Sequence, residues 1–286
     1  MQLLRTREQL DAWRTNTSGT VALVPTMGAL HEGHLTHLDV ARREVGPDGK
    51  VLVSVFVNPT QFGPSEDFER YPRNLGADAA RCEARGADAI FCPSQEEMYL
   101  PNEPASEINV PGVASELEGA LRPGHFAGVC RVVMKLLGLV RPDVATFGTK
   151  DFQQLAVIRA LVADLCVPVR IVEVPTQREP DGLAMSSRNA YLDADQRRRA
   201  AGIFEALKTA EGAWREGQRD PARLEEAMRA VLAGHGFTGK GVDYATVRDP
   251  VTLAQRIDPA GPTVALIAVR AGATRLIDNL ALKPTD

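Results

Sequence analysis

The sequence has no excess of positive charge, and this absence limits the partners that it can have. Its 286 residues include 33 lysines and arginines against 37 aspartates and glutamates, for a formal net charge of -4. The basic residues are scattered along the chain, whereas proteins that bind nucleic acids concentrate them on one face. We therefore expect no nucleic-acid partner.

Cysteines are few, and no two of them lie close together in the sequence. A zinc ribbon or a redox dithiol needs closely spaced cysteines such as C-x-x-C. The four in this chain are far apart: Cys82, Cys92, Cys130 and Cys166. This spacing favours free thiols and a reducing compartment, and we expect a cytoplasmic protein.

Long hydrophobic runs are also missing. No apolar stretch approaches the roughly 20 residues that cross a bilayer. The first residues, MQLLRTREQLDAW, mix charged with apolar side chains and contain no secretory hydrophobic segment. We expect a protein that is neither exported nor embedded in a membrane.

What the chain does contain is an alternation of strand and helix patterns. The runs TVALVPT (20–26) and KVLVSVFVNP (50–59) are almost continuously apolar, as strands buried on both faces of a parallel sheet are. A helical pattern lies between them, and the alternation recurs to about residue 175. It predicts a doubly wound, Rossmann-like α/β domain over residues 1–178.

The pattern changes after REPDGLAMSSRNAYL (178–192), which is rich in loop-forming residues. Two amphipathic helical patterns follow, at about 193–215 and 220–233, and then three strand-like runs. Helices followed by adjacent strands predict a smaller α+β domain over residues 179–286. We expect this domain to act as a lid.

Glycine-rich or polar segments follow three of the predicted parallel strands. They are PTMGALHEGH, NPTQF and FGTKDFQQ. In open α/β sheets, ligands bind beyond the carboxyl ends of the strands. We expect the three segments to converge on one crevice.

The first of these segments contains two of the five histidines. If a helix begins near Glu32 or Gly33, then His31 and His34 lie at its N-terminus, where unpaired N–H groups and the helix dipole attract anions. A loop with incidental histidines remains the alternative. A metal site that includes His37 is disfavoured, because His31 and His37 would point about 120° apart on a helix. We expect His37 to be a surface or packing residue.

Other phosphate-binding motifs are absent or incomplete. No G-x-G-x-x-G follows the first strand. GHGFTGKG (234–241) resembles a Walker A loop, but it lacks the final Ser or Thr and a strand pattern follows it, so we interpret it as a loop. Lys150 is better placed, between a predicted strand and a helix, to neutralise phosphate charge. Asp151 is equally compatible with a helix cap and a ligand contact.

Taken in order, these segments resemble the pantothenate synthetase family of the HxGH nucleotidyltransferase superfamily. The resemblance rests on VPTMGALHEGH, SVFVNPTQF, YPR, LEGALRPGHFAGV, FGTKDFQQL, DGLAMSSRNAYL and TRLIDNLAL. It implies ATP-dependent condensation of pantoate with β-alanine through a pantoyl-adenylate, which yields pantothenate, AMP and pyrophosphate. It further implies Mg²⁺ as the companion of ATP, and a homodimer.

The resemblance also implies roles for particular residues. Catalysis falls to His31, His34 and Lys150, pantoate binding to Gln61 and Gln154 with support from Asn58, and Mg²⁺ binding to Asp78. Arg122 and His125 match a segment near the pocket, or are simply loop residues. The implied nucleotide contacts are Met27, Gly28, Ala29, Leu30, His31, Glu32, Gly33, His34, Gly148, Thr149, Lys150, Asp151, Gln177, Met185, Ser186, Ser187 and Arg188.

The chain departs from the family pattern at a few positions. Thr149 replaces a glutamate, Gln177 replaces a valine, and Ala77 and Arg81 flank Asp78 where relatives carry polar or acidic groups. These last two weaken the assignment of Asp78 to Mg²⁺. AMSSRN (184–189) suits phosphate capture, although an exposed hinge would have a similar composition.

Two other functions remain compatible with the motifs. One is a transferase that attaches a nucleotide to a small phosphate ester and stops there. Gln61 and Gln154 argue against it, because a phosphorylated acceptor calls for more cationic groups. The other is a nucleotide-binding module without catalysis.

Overall fold

The computed structural model describes residues 1–283, apart from Ser65, Glu103, Arg256, Ile257 and Pro259. They form two compact units. The first consists of residues 1–149 and 153–175. The second consists of residues 150–152 together with the chain from residue 176 onwards.

The first unit is built on a six-stranded parallel sheet, as the alternating pattern predicted. The strand order is β1-β4-β3-β2-β5-β6. The strands are β1 (Gln2–Leu4), β2 (Val21–Thr26), β3 (Lys50–Val55), β4 (Ala89–Phe91), β5 (Val144–Gly148) and β6 (Arg170–Val174).

In the described part of residues 1–175, eight α-helices accompany this sheet, the last of them beginning at Phe152. They are α1 (Arg7–Thr15), α2 (Glu32–Val45), α3 (Leu75–Ala84), α4 (Gln95–Met98), α5 (Pro111–Ala114), α6 (Glu118–Leu121), α7 (His125–Val140) and α8 (Phe152–Asp164). The sequence pattern did not predict β1 or α1. β1 is only three residues long, and charged residues between the apolar positions of α1 obscure that helix, although Thr6 and Gln9 form a capping box at its start.

The central strands β2 and β3 are buried on both faces of the sheet, which explains their continuous apolar runs. Along β2, Val21 and Leu23 pack into one core with residues of α1 and α7. Ala22 and Val24 point the other way and pack with Leu38 of α2. Successive strand residues face opposite sides, so each face needs its own apolar set.

The order of the strands creates a topological switch point beside β2. From β2 the chain winds through β3 and β4 on one side, and through β5 and β6 on the other. Ligands of doubly wound folds bind at the carboxyl ends of the strands where this reversal occurs. The residues that follow β2 and β5 are therefore the first place to look for a site.

The second unit joins three helices to an antiparallel sheet of order β7-β8-β9. All three predicted strand runs are present, whereas the helical pattern at 193–215 is divided between two helices. The Walker-like GHGFTGKG ends in a short turn, Gly239–Gly241, followed at once by a strand, as a coincidental match should be. The elements are α9 (Ala194–Ala200), α10 (Gly202–Arg215), α11 (Pro221–Gly234), β7 (Val242–Arg248), β8 (Thr263–Ala271) and β9 (Thr274–Leu282).

The core of this second unit lies between its helices and its sheet. Trp214 and Phe237 are its largest buried side chains. Over the described residues, no helix combines the length and the apolar character that a membrane crossing requires.

Candidate active site

The loop after β2 has a backbone that only small residues allow. Gly28 and Ala29 both have positive φ, at 82° and 51°. A Cβ on Gly28 would lie 3.0 Å from an Asp78 carboxylate oxygen and 3.1 Å from Val55 Cγ1. The loop therefore needs glycine at position 28 both for its conformation and for its packing.

Asp78, in the first turn of α3, fixes this loop by accepting hydrogen bonds from its backbone. Its side chain is 2% exposed. Its Oδ2 accepts the backbone N–H of Ala29 at 3.0 Å, and its Oδ1 accepts that of Leu30 at 2.8 Å. Arg81, one turn further along α3, donates to the carbonyl oxygen of Leu30. These contacts satisfy buried backbone groups in a turn that no strand or helix can satisfy.

Two histidines shape the start of α2, which begins at Glu32 as the sequence indicated. His31 is the N-cap, and its Nδ1 accepts the backbone N–H of Gly33 at 3.1 Å. Nδ1 of His34 accepts the backbone N–H of His31 at 3.3 Å. A neutral imidazole that accepts at Nδ1 carries its proton on Nε2. Both rings thus present an N–H donor on their outer edge, beside the positive end of the helix.

Two further polar residues of this helix, His37 and Glu32, have different surroundings. Nδ1 of His37 lies 3.2 Å from the hydroxyl of Thr146 on β5, so it packs toward the sheet. Glu32 is exposed and pairs with Arg85 at 2.7 Å. Among the described residues, no group of three His, Cys, Asp or Glu side chains is arranged to hold a metal ion.

The segment after β3 places Gln61 beside the first loop. A short turn, Pro59–Gln61, is capped by Asn58. Asn58 is 1% exposed, donates to Gln61 Oε1 at 3.1 Å and accepts from Tyr99 at 2.8 Å. Gln61 Nε2 in turn lies 3.1 Å from the sulfur of Met27. The segments that follow β2 and β3 are therefore in contact with each other in the first unit, as the sequence predicts.

His125 and Arg122 fix the main chain of Gln61. The sequence alone does not distinguish a role for them in the pocket from a place in a loop. His125 Nδ1 lies 2.8 Å from the Gln61 carbonyl oxygen and must donate to it. Its Nε2 then accepts from Arg122 at 3.0 Å. Arg122 also binds both carboxylate oxygens of Glu66 at 2.6 Å. Nothing in the spacing of these residues reveals the network, because its partners lie about 60 residues apart in sequence.

His125 is neutral in this network. Burial, and then the neighbouring Arg122 charge, lower its pKa from 6.5 to about 4. The unfolded chain takes up a proton as the pH falls through 6.5, whereas the folded chain resists until about pH 4. The native state therefore loses stability across that interval, by on the order of 3 kcal/mol from this group.

This linkage predicts a measurable pH dependence of folding. We expect the free energy of unfolding of the wild type to fall more steeply between pH 7 and pH 4.5 than that of His125→Gln, which has no titrating group there. Urea denaturation at the two pH values gives both slopes. Equal slopes would show that His125 has the same pKa in the folded and in the unfolded chain.

Two adjacent glutamines at the start of α8 have different surroundings. Gln153 is buried and binds the backbone of the α5–α6 segment, through Glu118 N, Val113 O and Glu116 O. Gln154 is half-buried. Neighbouring helix residues point about 100° apart, so only one of the two can serve the core. Gln153 serves the core, and Gln154 is the more exposed of the two.

The turn after β5, Thr149–Asp151, contains the candidate lysine. Thr149 donates its hydroxyl to the Val174 carbonyl oxygen at 3.3 Å, closing the end of β6, which a glutamate could not do. Lys150 Nζ lies 3.7 Å from Asp151 Oδ1, and its side chain is 21% exposed. Asp151 is the residue before α8. Gly148, the last residue of β5, is half-buried.

The remaining predicted contacts lie in the second unit. The carbonyl oxygen of Gln177 accepts from the Met185 N–H at 2.9 Å. Ser186 caps the short helix Ser187–Tyr191, accepting from Arg188 N. Residues 185–188 are all half-buried. AMSSRN (184–189) is therefore a turn that leads into a short helix, with the Ser186 hydroxyl bound to the main chain of Arg188.

Comparison with known proteins identifies relatives over the whole chain. The family model for pantoate-beta-alanine ligase matches residues 2–281. The pantothenate synthetase of Magnetococcus marinus is 49% identical over 284 residues, which are 99% of this chain and 96% of that protein. That of Gluconobacter oxydans is 49% identical over 277 residues, covering 96% and 98%.

Solved structures agree with these sequence relatives. The pantothenate synthetase of Thermus thermophilus is 42% identical, with a TM-score of 0.92 over 99% of this chain and 100% of that one. The pantoate-beta-alanine ligase of Francisella tularensis, complexed with beta-gamma ATP and beta-alanine, is 32% identical with a TM-score of 0.79, covering 98% and 97%.

Proposed function

The chain belongs to the pantoate-beta-alanine ligase family, and we propose that it works through a pantoyl-adenylate at the carboxyl ends of its parallel strands. The overall reaction condenses pantoate with β-alanine at the expense of ATP. In the first half, the pantoate carboxylate attacks the α-phosphate of ATP and pyrophosphate leaves. In the second half, the amine of β-alanine attacks the activated acyl carbon, AMP leaves, and the amine loses a proton to give pantothenate.

The start of α2 is the observation that carries this proposal. It lies at the switch point of the sheet, with backbone N–H groups, the positive end of the helix dipole and two imidazoles that hold their protons on Nε2. Such donors, fixed before the reaction, stabilise negative charge as it develops on phosphate oxygens. His31 and His34 therefore act on the phosphates, while Gly28 lets the nucleotide approach the backbone closely.

Neutral amides suit the proposed binding of pantoate. Gln61 and Gln154 can bond the hydroxyls and the carboxylate of pantoate without holding the carboxylate in an ion pair, which would weaken it as a nucleophile. Asn58 and His125 orient Gln61 from its side chain and its main chain. The contact of Gln61 with Met27 supports an acceptor placed next to the nucleotide, as in-line attack requires.

The other nucleotide contacts are proposed from the motifs they match. Lys150 would offset charge on the phosphates, and Ser186, Ser187 and Arg188 would supply further donors. The remaining members are Gly148, Thr149, Asp151, Gln177 and Met185.

Mg²⁺ is proposed as the companion of ATP, bound mainly through the phosphates. When bound, it would neutralise charge on them. Asp78 is a poor ligand for it, since each carboxylate oxygen already accepts a backbone amide and Arg81 lies alongside. Asp78 holds the nucleotide loop instead.

The location and the assembly of the protein are also proposed. A cytoplasmic enzyme is supported by the four cysteines, which are all free thiols. A homodimer is proposed from the family resemblance alone.

Pyrophosphate exchange tests the adenylate mechanism. With Mg²⁺, ATP, pantoate and labelled pyrophosphate but no amine, we expect label to appear in ATP, and we expect exchange to stop when pantoate is omitted or Mg²⁺ is chelated. Adding β-alanine should then release free AMP and pantothenate.

The alternatives give different products in the same assay. A stable nucleotide conjugate in place of free AMP would indicate a nucleotidyltransferase. Folded protein that binds ATP yet shows no pantoate-dependent exchange would overturn the adenylate.

A further inference from the structure

The main chain of Lys150 is hydrogen-bonded to a residue of β9, Asn279. Its carbonyl oxygen accepts a hydrogen bond from the side-chain amide of Asn279 at 2.8 Å, across 129 positions in sequence. Both residues belong to the second unit, which includes Lys150–Phe152 although the residues on either side belong to the first. The proposed catalytic lysine is therefore grouped with β9 rather than with the strand it follows.

Asn279 is itself firmly held. It is 7% exposed, and its backbone N–H donates to Asp278 Oδ1 at 2.7 Å. The carbonyl oxygen of Asn279 accepts from Arg178 Nη2 at 3.2 Å. The main chain of Asn279 is thus bound on both sides, so its amide is aimed by the strand.

The buried Asp278, next to Asn279, pairs with the half-buried Arg178 and so braces the middle of β9. Arg178 donates to both carboxylate oxygens of Asp278, at 2.6 and 3.0 Å. Burial raises the pKa of Asp278, and the bonds from Arg178 offset part of that rise.

The guanidinium of Arg178 also stacks 4.0 Å from the ring centre of Phe204. A Cβ on Gly182 would lie 2.2 Å from that ring. The brace is closely packed, and neither Asp278 nor Asn279 has a role in the mechanism derived above.

We propose that Asn279 is the positioning residue of Lys150: its amide fixes the lysine main chain and so sets where the ammonium group can reach. A lysine side chain has a flexible four-carbon stem, so its charge is localised only as well as its backbone is. Displacing a charge by about 1 Å can lower a rate by about 10²-fold. This inference rests on the proposed role of Lys150 in the adenylation step.

The test is a double-mutant cycle on the full chain. The variants are Asn279→Ala, Lys150→Ala and the double mutant, assayed by pantoate-dependent pyrophosphate exchange. We expect Asn279→Ala to lower the exchange rate at saturation by about tenfold to a hundredfold, with KM for pantoate changed by less than about twofold. In the Lys150→Ala background the same change should cost less than about twofold, because residues that act as a unit are not additive.

Thr246→Ala is the matched control. Thr246 is a buried polar residue of the same sheet, on β7, and its hydroxyl donates to Glu225. The variant therefore loses a hydrogen bond that does not involve Lys150. We expect it to reduce the stability of the protein without a selective loss of exchange. If Asn279→Ala does not fold, Asn279→Ser, whose hydroxyl is too short for the bond, replaces it in the cycle.

The outcomes separate this inference from the proposed function. Equal losses in both backgrounds, or no loss in either, would show that Asn279 does not act through Lys150. A wild type without exchange would instead overturn the adenylate proposal, and an unchanged Lys150→Ala would remove the role of the lysine.

Discussion

Replacing Lys150 with alanine is expected to lower the rate of adenylation by on the order of 10²–10³-fold, the loss typical for removal of one fixed donor to a charged transition state. The turn Thr149–Asp151 follows the strand next to the switch point, and the lysine is the cation of that turn. Because its charge acts mainly on phosphate charge that develops as pyrophosphate leaves, KM for ATP should change much less than kcat. Exchange kinetics measured over a range of ATP concentrations at saturating pantoate give both values.

Lys240 is the matched control for that experiment. It is the lysine of the Walker-like segment, exposed in the turn Gly239–Gly241. Lys240→Ala should leave the exchange rate within about twofold of the wild type, as exposed substitutions away from a site usually do. Equal effects of the two substitutions would point to a general loss of positive charge rather than to a local role of Lys150.

Replacing His34 with alanine should also lower exchange by on the order of 10²–10³-fold, since it removes a donor aimed at the phosphates. The same substitution removes half of the reciprocal cap at the start of α2, which costs about 1 kcal/mol of stability. Activity and stability thus fall together in this variant. A second variant is needed to separate the two effects.

His34→Glu provides that separation. Glutamate at this position can accept the His31 N–H and so restores the cap, but it offers the phosphates a negative charge in place of a donor. We expect stability near that of the wild type, measured by urea denaturation, with exchange as low as in His34→Ala. Recovery of exchange along with stability would mean that His34 serves only the helix.

His37→Gln completes the comparison on the same helix. Its ring faces Thr146 rather than the start of α2. We expect it to change the exchange rate by no more than about threefold, with any loss appearing mainly in stability. A loss as large as that of His34→Ala would mean that the whole helix, rather than its first turn, governs the reaction.

Much of the parallel sheet could be predicted because its signals are local. An apolar run buried on both faces looks the same in any parallel sheet, and His31 marks the start of α2 by standing directly after a loop of small residues. Elements with mixed composition, such as β1 and α1, were missed. Their few apolar residues complete a core whose other members lie far away in the chain.

The support of the site was harder to foresee. The family resemblance assigns Asp78 to Mg²⁺, whereas in the structure its oxygens accept the amides of Ala29 and Leu30, which lie 49 and 48 residues away in sequence. His125 was ambiguous, yet it determines the main chain of Gln61. A carboxylate or an imidazole can serve a ligand or a backbone group equally well, and its sequence neighbours do not distinguish the two.

Most of the alternation of strands and helices, the strand ends at which a site is proposed, and the family follow from the sequence alone, because each depends on short segments whose composition reflects local conformation. What could not be predicted, and is visible only in the tertiary structure, is which polar residues hold the backbone in place. That choice depends on hydrogen bonds between residues such as Asn279 and Lys150, whose distance in space has no trace in their distance along the chain.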